Sequence, residues 1–244
     1  MAEDLTLRLA TGADIPIVEC QITLHQPSIK EIGMFGESKY FLAMQCLCIN
    51  KMMEMDSQDE QYKDVTNFQM FMTLLHDKKT VEQRDIVLDA LSLLFPRYKI
   101  QVTPRALMFN FEKDNSIIDE NNFSSLQEIL RQISCLSDGA EGEFNPANEA
   151  AAEIARKLQR GRERVAAQKQ QANGGKSSVF SQYLSILAVG LHIPLQNLLS
   201  MTVFQLYDLV ERYTLYIDWD LYIRSRLAGG QPDNQPENWM KIIH

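Results

Sequence analysis

The stretch Gln26-Pro-Ser-Ile-Lys-Glu31 determines where the first long helices of the chain begin. Ser28 and Glu31 have the spacing of a capping box, in which each side chain accepts a hydrogen bond from a backbone N–H that would otherwise lack a partner. We therefore expect a helix to begin near Ile29. Two glycines interrupt this helix, and residues 38–49 then form a strongly apolar helix. Because that second helix is apolar on almost every side, it is predicted to lie at the centre of the fold.

Before this stretch, residues 5–24 show the clearest strand pattern, since apolar and polar side chains alternate on both sides of Thr11-Gly-Ala-Asp14. This pattern predicts a β-hairpin with its turn at residues 11–14. After the stretch come three helices and one extended segment. They are a helix over Asn67–His76, a helix over Val81–Leu94, an extended segment over Tyr98–Phe111 and a helix over Asn122–Leu136. The extended segment is expected to pair with the hairpin, so the predicted fold class is α+β, predominantly α-helical, with a small antiparallel β element packed on helices.

The composition changes along the chain and divides it into four parts. Residues 1–137 are predicted to form an N-terminal α+β domain, and residues 179–230 a C-terminal helical module. Between them, residues 138–178 contain an acidic, glycine-bearing hinge, a basic helix and a flexible linker. Residues 146–176 have seven basic and three acidic side chains, so we expect this helix to project into solvent as a basic arm. Residues 231–244 are polar apart from a terminal apolar cluster and are predicted to be a mobile tail.

The length and charge of the chain exclude several classes of protein. The 244 residues have a net charge of -8 and are 45% hydrophobic, so the chain is acidic and can bury a core without disulfides or a structural metal. The acidic balance argues against a surface built as a whole for nucleic acid. No apolar run reaches the ~20 residues of a membrane span, and the first residues have no secretory signal pattern. We therefore expect a protein that stays in the cytoplasm in which it is made.

No set of residues in the sequence has the spacing of an active site. The segment Gly174-Gly-Lys-Ser177 lacks the first glycine of a phosphate-binding loop, because Gln170 occupies that position. Asp218 and Asp220 are two residues apart on a predicted helix, so their carboxylates diverge and do not form a catalytic pair. The four cysteines are expected to be reduced and to pack as small apolar side chains. They are Cys20, Cys46, Cys48 and Cys135. The sequence predicts no enzyme activity, no metal and no cofactor.

The final helix, from Thr202 to about Leu227, is apolar and aromatic around most of its circumference. A single neighbouring helix cannot cover such a surface, so the helix either lies deep in a bundle or binds another protein. Both interpretations stay open, with core packing expected for the larger part of the surface. Gly229 and Gly230 are predicted to end the helix.

Three segments of the chain follow one another in the order found in one family of phage proteins. They are Pro27-Ser-Ile-Lys-Glu-Ile-Gly33 with Tyr40, Phe144-Asn-Pro-Ala-Asn-Glu-Ala-Ala-Ala-Glu-Ile-Ala-Arg-Lys-Leu158, and Leu198-Leu-Ser-Met-Thr202 with Gln205-Leu-Tyr-Asp-Leu-Val-Glu-Arg212. With these segments the chain resembles, over most of its length, the tail assembly chaperones of long-tailed bacteriophages of the siphovirus and myovirus type. The resemblance implies a protein without catalysis that binds the tape measure protein, keeps its apolar helices soluble and is displaced as tail tube subunits assemble.

The resemblance also implies partners and a location. The tape measure protein is the first partner, the major tail tube protein is a second candidate, and several copies of the chain are expected to associate along one tape measure. The implied location is the host bacterial cytoplasm, with no protein left in the mature virion. Neither a membrane nor a nucleic acid is an expected partner. The predicted partner-binding residues, on the final helix and the tail, are Thr202, Gln205, Leu206, Leu209, Val210, Tyr213, Trp219 and Trp239.

Two other functions fit the same sequence. A structural tail or connector component that stays in the virion would equally lack catalytic residues. A nucleic-acid-binding regulator would use the basic helix, because neutralising phosphates releases counterions and so increases affinity. The content of purified virions and the salt dependence of binding distinguish these functions from a chaperone.

Overall fold

The computed structural model describes residues 2–50, 65–112, 114–136, 178–230 and 235–240. The chain forms two compact units. The first unit consists of Met1–Leu136 and Tyr183–His244, and the second of Ser137–Gln182. The predicted hinge, the basic helix and most of the linker lie outside the described residues.

The described residues form α-helices and two small antiparallel sheets, so the predicted class, α+β and predominantly helical, is confirmed. The helices are α1 (Ala2–Thr11), α2 (Ile29–Phe35), α3 (Glu37–Leu47), α4 (Asn67–His76), α5 (Val81–Leu94), α6 (Phe123–Ser134), α7 (Val179–Leu191), α8 (Leu195–Leu199) and α9 (Val203–Leu227). The strands are β1 (Ile15–Ile17), β2 (Ile22–Leu24), β3 (Lys99–Val102), β4 (Leu107–Phe111) and β5 (Asp114–Ile118). Short 3-10 turns cover Val18–Cys20 and Lys78–Thr80.

The strands belong to two sheets. β1 and β2 form a hairpin in which Ile15 lies opposite Leu24. The second sheet has the order β3-β4-β5, with Ile100 opposite Phe109 and Phe109 opposite Ser116. The amino-acid pattern did not indicate β5 as a strand.

The predicted pairing of residues 98–111 with the first hairpin is wrong, because this segment folds back on itself. Its two halves are β3 and β4, joined by a tight turn. In that turn the backbone N–H and the hydroxyl of Thr103 both donate to the carbonyl of Ala106. A short turn has a small loop-closure entropy, so local pairing is favoured over pairing with a strand far away in the chain.

The segment predicted as the first strand forms helix α1 instead. Leu5 and Leu9 are four residues apart and share one face of the helix, and Leu9 is buried whereas Leu7 is exposed. A short run in which leucines alternate with polar residues is therefore compatible with a helix as well as a strand. Packing of α1 against α9 stabilises the helical form. The predicted hairpin turn at residues 11–14 is also wrong, because the hairpin turns at Val18–Cys20.

The capping-box prediction is confirmed. The Ser28 hydroxyl accepts a hydrogen bond from the backbone N–H of Glu31, and the Glu31 carboxylate accepts one from the backbone N–H of Ser28 at 2.8 Å. Helix α2 begins at Ile29, as predicted. The break before α3 falls at Gly36, whose φ of 108° favours a residue without a side chain. The predicted bounds of α4 and α5 are confirmed as well.

Glu31→Gln is expected to reduce the acid sensitivity of the fold, while glutamine still serves the cap. Burial raises the pKa of Glu31, but hydrogen bonds from the side chain and backbone of Ser28 and the charge of His25 outweigh burial and lower this pKa below its usual range. A lowered carboxyl pKa stabilises the fold above the unfolded-state pKa, and this stabilisation is lost as pH falls through the folded-state pKa. Denaturant unfolding at about pH 7 and about pH 3 should show a larger loss of stability for the wild-type chain. Equal acid sensitivity of the two proteins would contradict this role of Glu31.

Helix α3 lies in the interior of the first unit and packs against α5 and α6. The side chains of Tyr40, Met44 and Leu47 are fully buried, which confirms that the apolar helix after the capping box belongs to the core. Nearby, the Phe71 ring stacks on Phe123 with their centroids 5.0 Å apart. These aromatic contacts join α4 to α6 beside α3.

The C-terminal helices contribute to the same unit. Helix α9 packs against α1 and α6, and α8 packs against α2. The side chains of Leu198, Val203 and Leu206 are buried in these contacts. Residues 183–230 therefore complete a core that the amino-acid pattern assigned to residues 1–137 alone.

Candidate partner-binding surface

Two of the segments that support the family resemblance lie side by side. Ser28 and Thr202 form an antiparallel bridge, and the backbone N–H of Ile29 donates to the carbonyl of Met201 at 2.8 Å. Thr202 and Gln205 form a second capping box, at the start of α9. The N-termini of α2 and α9 are thus joined at their caps.

The first three predicted partner-binding residues have roles inside the fold. Thr202 is buried and its hydroxyl caps α9. Gln205 completes that cap, and its Nε2 donates to the carbonyl of Ala10 at 2.8 Å. Leu206 is 0% exposed. These side chains hold the start of α9 against the rest of the unit, so a partner surface on this helix begins after Leu206.

Beyond Leu206 the surroundings of α9 change. The buried residues of this helix are Val203, Phe204 and Leu206, all in its first turn and a half. Four of the predicted partner-binding residues are half-buried, namely Leu209, Val210, Tyr213 and Trp219. The large apolar side chains that are exposed are Tyr216, Leu221, Ile223 and Leu227. The C-terminal half of α9 therefore presents much of its apolar surface to solvent.

Helix α7 packs on α9 through tyrosines. The rings of Tyr183 and Tyr207 meet edge to face with their centroids 5.4 Å apart. Tyr213 lies so close to Gly190 that a Cβ at this glycine would overlap the phenol ring. Glycine at position 190 is therefore needed for the close approach of the two helices. Tyr213, a predicted partner-binding residue, is partly used in this contact.

Helix α7 adds exposed apolar side chains that the site prediction omitted. Leu184 and Leu187 are buried, whereas Ile186 and Val189 are exposed, Val189 by 73%. The amino-acid sequence contains a signal for these exposed residues, because almost the whole helix is apolar. A single buried stripe covers only one side of a helix, so apolar side chains on the other side remain exposed. In the described part of the chain, no helix is long and apolar enough to cross a membrane.

The described part of the tail contacts α9. The Trp239 ring meets the Tyr216 ring edge to face at 5.7 Å, and the Trp239 carbonyl accepts a hydrogen bond from Arg212 at 3.0 Å. Arg212 in turn lies 3.7 Å from the carboxylate of Asp208. Trp239, a predicted partner-binding residue in a tail predicted to be mobile, is thus placed beside an exposed tyrosine of α9.

The cysteines have the properties of core residues. All four lie in the described residues, and none of them forms a disulfide. Burial, with smaller effects of acidic neighbours, raises the pKa of Cys20 and of Cys135 to about 11. Both thiols are neutral at neutral pH, and a neutral thiol is a poor nucleophile and a poor metal ligand. Within the described ranges, no group of three or more His, Cys, Asp or Glu side chains is placed to hold a metal ion.

A chain of polar side chains joins the first hairpin to α2. The His25 ring lies 3.1 Å from the Asp14 carboxylate and 3.5 Å from that of Glu31. Arg97 lies 3.3 Å from the other carboxylate oxygen of Asp14. The Ser28 hydroxyl donates to Glu31 at 2.7 Å and so serves the helix cap. This arrangement stabilises the start of α2.

The family model for the second domain of YomV matches residues 169–244. The matched segment contains α7, α8, α9 and the tail, and it includes the exposed apolar side chains of α7 and α9 described above. The family name is derived from phage, and the match indicates a phage protein. Neither the curated proteins nor the solved structures include a significant match.

Proposed function

We propose that this protein is a non-enzymatic phage tail assembly chaperone that binds the tape measure protein and gives way as tail tube subunits assemble around it. The main support is that the phage-derived family match includes α7 and α9, two helices that expose apolar side chains to solvent. The resemblance of three ordered segments to tail assembly chaperones adds to this support. Both segments that lie in the described residues help to join α2 to α9, so they belong to the framework that holds the exposed helices in place.

The exposed surface has the chemistry needed to hold an apolar helix. A tape measure protein has long amphipathic helices, and a helix of this kind binds by placing its apolar face against apolar side chains of the partner. The exposed Ile186 and Val189 on α7 supply such side chains, and the half-buried Trp219 of α9 and Trp239 of the tail add to them. The net charge of -8 favours solubility of the complex.

The double variant Ile186→Lys with Val189→Lys is expected to reduce capture of a co-expressed tape measure fragment at least about tenfold. Each apolar side chain contributes roughly 1.5–3 kcal/mol when it is fully buried, and about 1.4 kcal/mol corresponds to a factor of ten in affinity. Both side chains are exposed in the free protein, so the fold should not change. Affinity purification with quantification of the bound fragment measures the effect.

The matched control is Leu7→Lys with Val18→Lys, because these side chains are also exposed but lie outside the segment matched by the family. This control should capture the tape measure fragment as the wild-type chain does. Equal capture by all three proteins would move the partner surface away from α7. No capture by the wild-type chain would contradict the proposed function.

The proposal places the protein in the host cytoplasm during assembly and outside the finished particle. Mass spectrometry of purified virions distinguishes it from a structural tail or connector component. A chaperone should be absent from the particles, whereas a stoichiometric amount in them would support a structural component.

A further inference from the structure

A second surface lies on the C-terminal half of α9, in a stripe that we call the distal stripe. It consists of Ile217, Asp220, Leu221, Arg224 and Leu227, whose spacing places them along one side of the helix. Leu221 is 60% and Leu227 83% exposed. In the middle of the stripe the Arg224 guanidinium lies 2.7 Å from the Asp220 carboxylate, and the Arg224 side chain is 74% exposed. The distal stripe is thus apolar at both ends and has one acidic and one basic residue between them.

Two copies of the distal stripe complement each other when they run in opposite directions. If a second α9 runs antiparallel to the first with its midpoint at Tyr222, Asp220 of each copy faces Arg224 of the other. In the same register Ile217 of each copy faces Leu227 of the other. In a parallel arrangement Asp220 would face Asp220 and Arg224 would face Arg224, which is repulsive. The charges therefore select an antiparallel pair, and the apolar residues occupy matching layers as in an antiparallel coiled coil.

We propose that the distal stripe binds a second copy of this chain, so that two α9 helices form an antiparallel, two-fold symmetric contact. The proposal goes beyond the proposed function, because it concerns the free chain and needs no tape measure protein. A two-fold contact uses the same patch on both copies, so each interaction occurs twice. The two Asp220–Arg224 pairs become a ring of four alternating charges, flanked on each side by an Ile217–Leu227 contact.

The ring of charges contributes more to the choice of partner than to the affinity. Ion pairs that remain close to solvent contribute little free energy each, whereas a mismatch that brings like charges together is unfavourable. The paired stretch from Ile217 to Leu227 covers about three helical turns, so we expect an association in the micromolar range. Leu221, Leu227 and the Arg224 side chain remain exposed, and the tail residue Trp239 contacts Tyr216 and Arg212.

Charge reversal in the full-length chain tests the proposal by sedimentation equilibrium. Asp220→Lys and Arg224→Glu, each alone, should weaken self-association at least about tenfold, because each variant presents like charges to its own copy. An equimolar mixture of the two variants should form a one-to-one heterodimer, since the lysine introduced at position 220 of one variant faces the glutamate introduced at position 224 of the other. The double variant with both changes should dimerise like the wild-type chain.

The matched controls are Asp218→Lys and Arg226→Glu, which change the charge equally at positions directed away from the distal stripe. They should dimerise as the wild-type chain does, and circular dichroism should show the same helicity for every variant. A wild-type chain that stays monomeric at high micromolar concentration would overturn the proposal. So would a dimer that tolerates both single reversals, or reversed chains that do not recombine when mixed.

Discussion

Leu206→Ala is expected to lower the free energy of unfolding by about 3 kcal/mol. Leu206 is 0% exposed at the start of α9, and removing a fully buried leucine side chain leaves a cavity in addition to the lost burial. Helix α9 packs on α1 and α6, so the cavity weakens contacts between the two ends of the chain. Urea unfolding followed by circular dichroism should show one cooperative transition at a lower midpoint.

The control for this prediction is Leu221→Ala, the same substitution about four turns further along α9. Leu221 is 60% exposed, so its removal should change the free energy of unfolding by less than about 0.5 kcal/mol in dilute solution. Equal effects of the two substitutions would contradict the core position of Leu206. A separate early transition in the Leu206→Ala protein would show that the C-terminal helices unfold as an independent module.

Gln127→Leu is expected to lower the free energy of unfolding by about 2–4 kcal/mol, although it replaces a buried polar side chain with an apolar one of similar size. The Gln127 Nε2 donates to the carbonyl of Leu47 at 2.9 Å and to that of Ile49 at 3.0 Å. These carbonyls lie at the end of α3, where the helix itself supplies no donor. Leucine would leave both acceptors unpaired in the interior, and thermal or urea unfolding measures the loss.

The control is Gln45→Leu, because Gln45 is an exposed residue of α3 itself. This substitution removes no buried hydrogen bond and should change the stability by less than about 0.5 kcal/mol. If Gln127→Leu were as stable as this control, Gln127 would act only by filling space. The last turn of α3 would then need another source of donors.

Helix starts were predictable wherever the signal is local. The Ser28–Glu31 capping box needs only residues three apart, and the structure places the start of α2 at Ile29. The bounds of α4 and α5 follow from periodicity and from Pro96 two residues after the end of α5. Such signals involve neighbours in the chain, so the rest of the molecule has little influence on them.

The first segment and the sheets were not predictable in the same way. Leu5, Leu7 and Leu9 satisfy both a strand pattern and a helix pattern, and the contact of α1 with α9 favours the helix. The extended segment has no residue that specifies its partner strand. Its pairing depends on the turn at Thr103 and on β5, which has few apolar residues and so gave no strand pattern.

The candidate partner-binding surface was also predictable only in part. The wide apolar character of α9 is visible in the amino-acid sequence, and it indicates that more than one neighbour is needed. Which residues face the core depends on α1, α6 and α7, which are brought to α9 only by the folding of the chain. Leu206 and Leu221 are both leucines on one helix, yet the first is fully buried and the second is exposed.

The amino-acid pattern therefore determined the helix caps, most helix bounds and the fold class, since these depend largely on residues a few positions apart. The fold of the whole chain determined the burial of Thr202 and Leu206, and it left Ile186, Val189 and much of the distal stripe open to solvent. The physical reason is that burial is a property of contacts between distant segments. The bridge between Ser28 and Thr202 and the contact of Tyr213 with Gly190 exist only when those segments have come together.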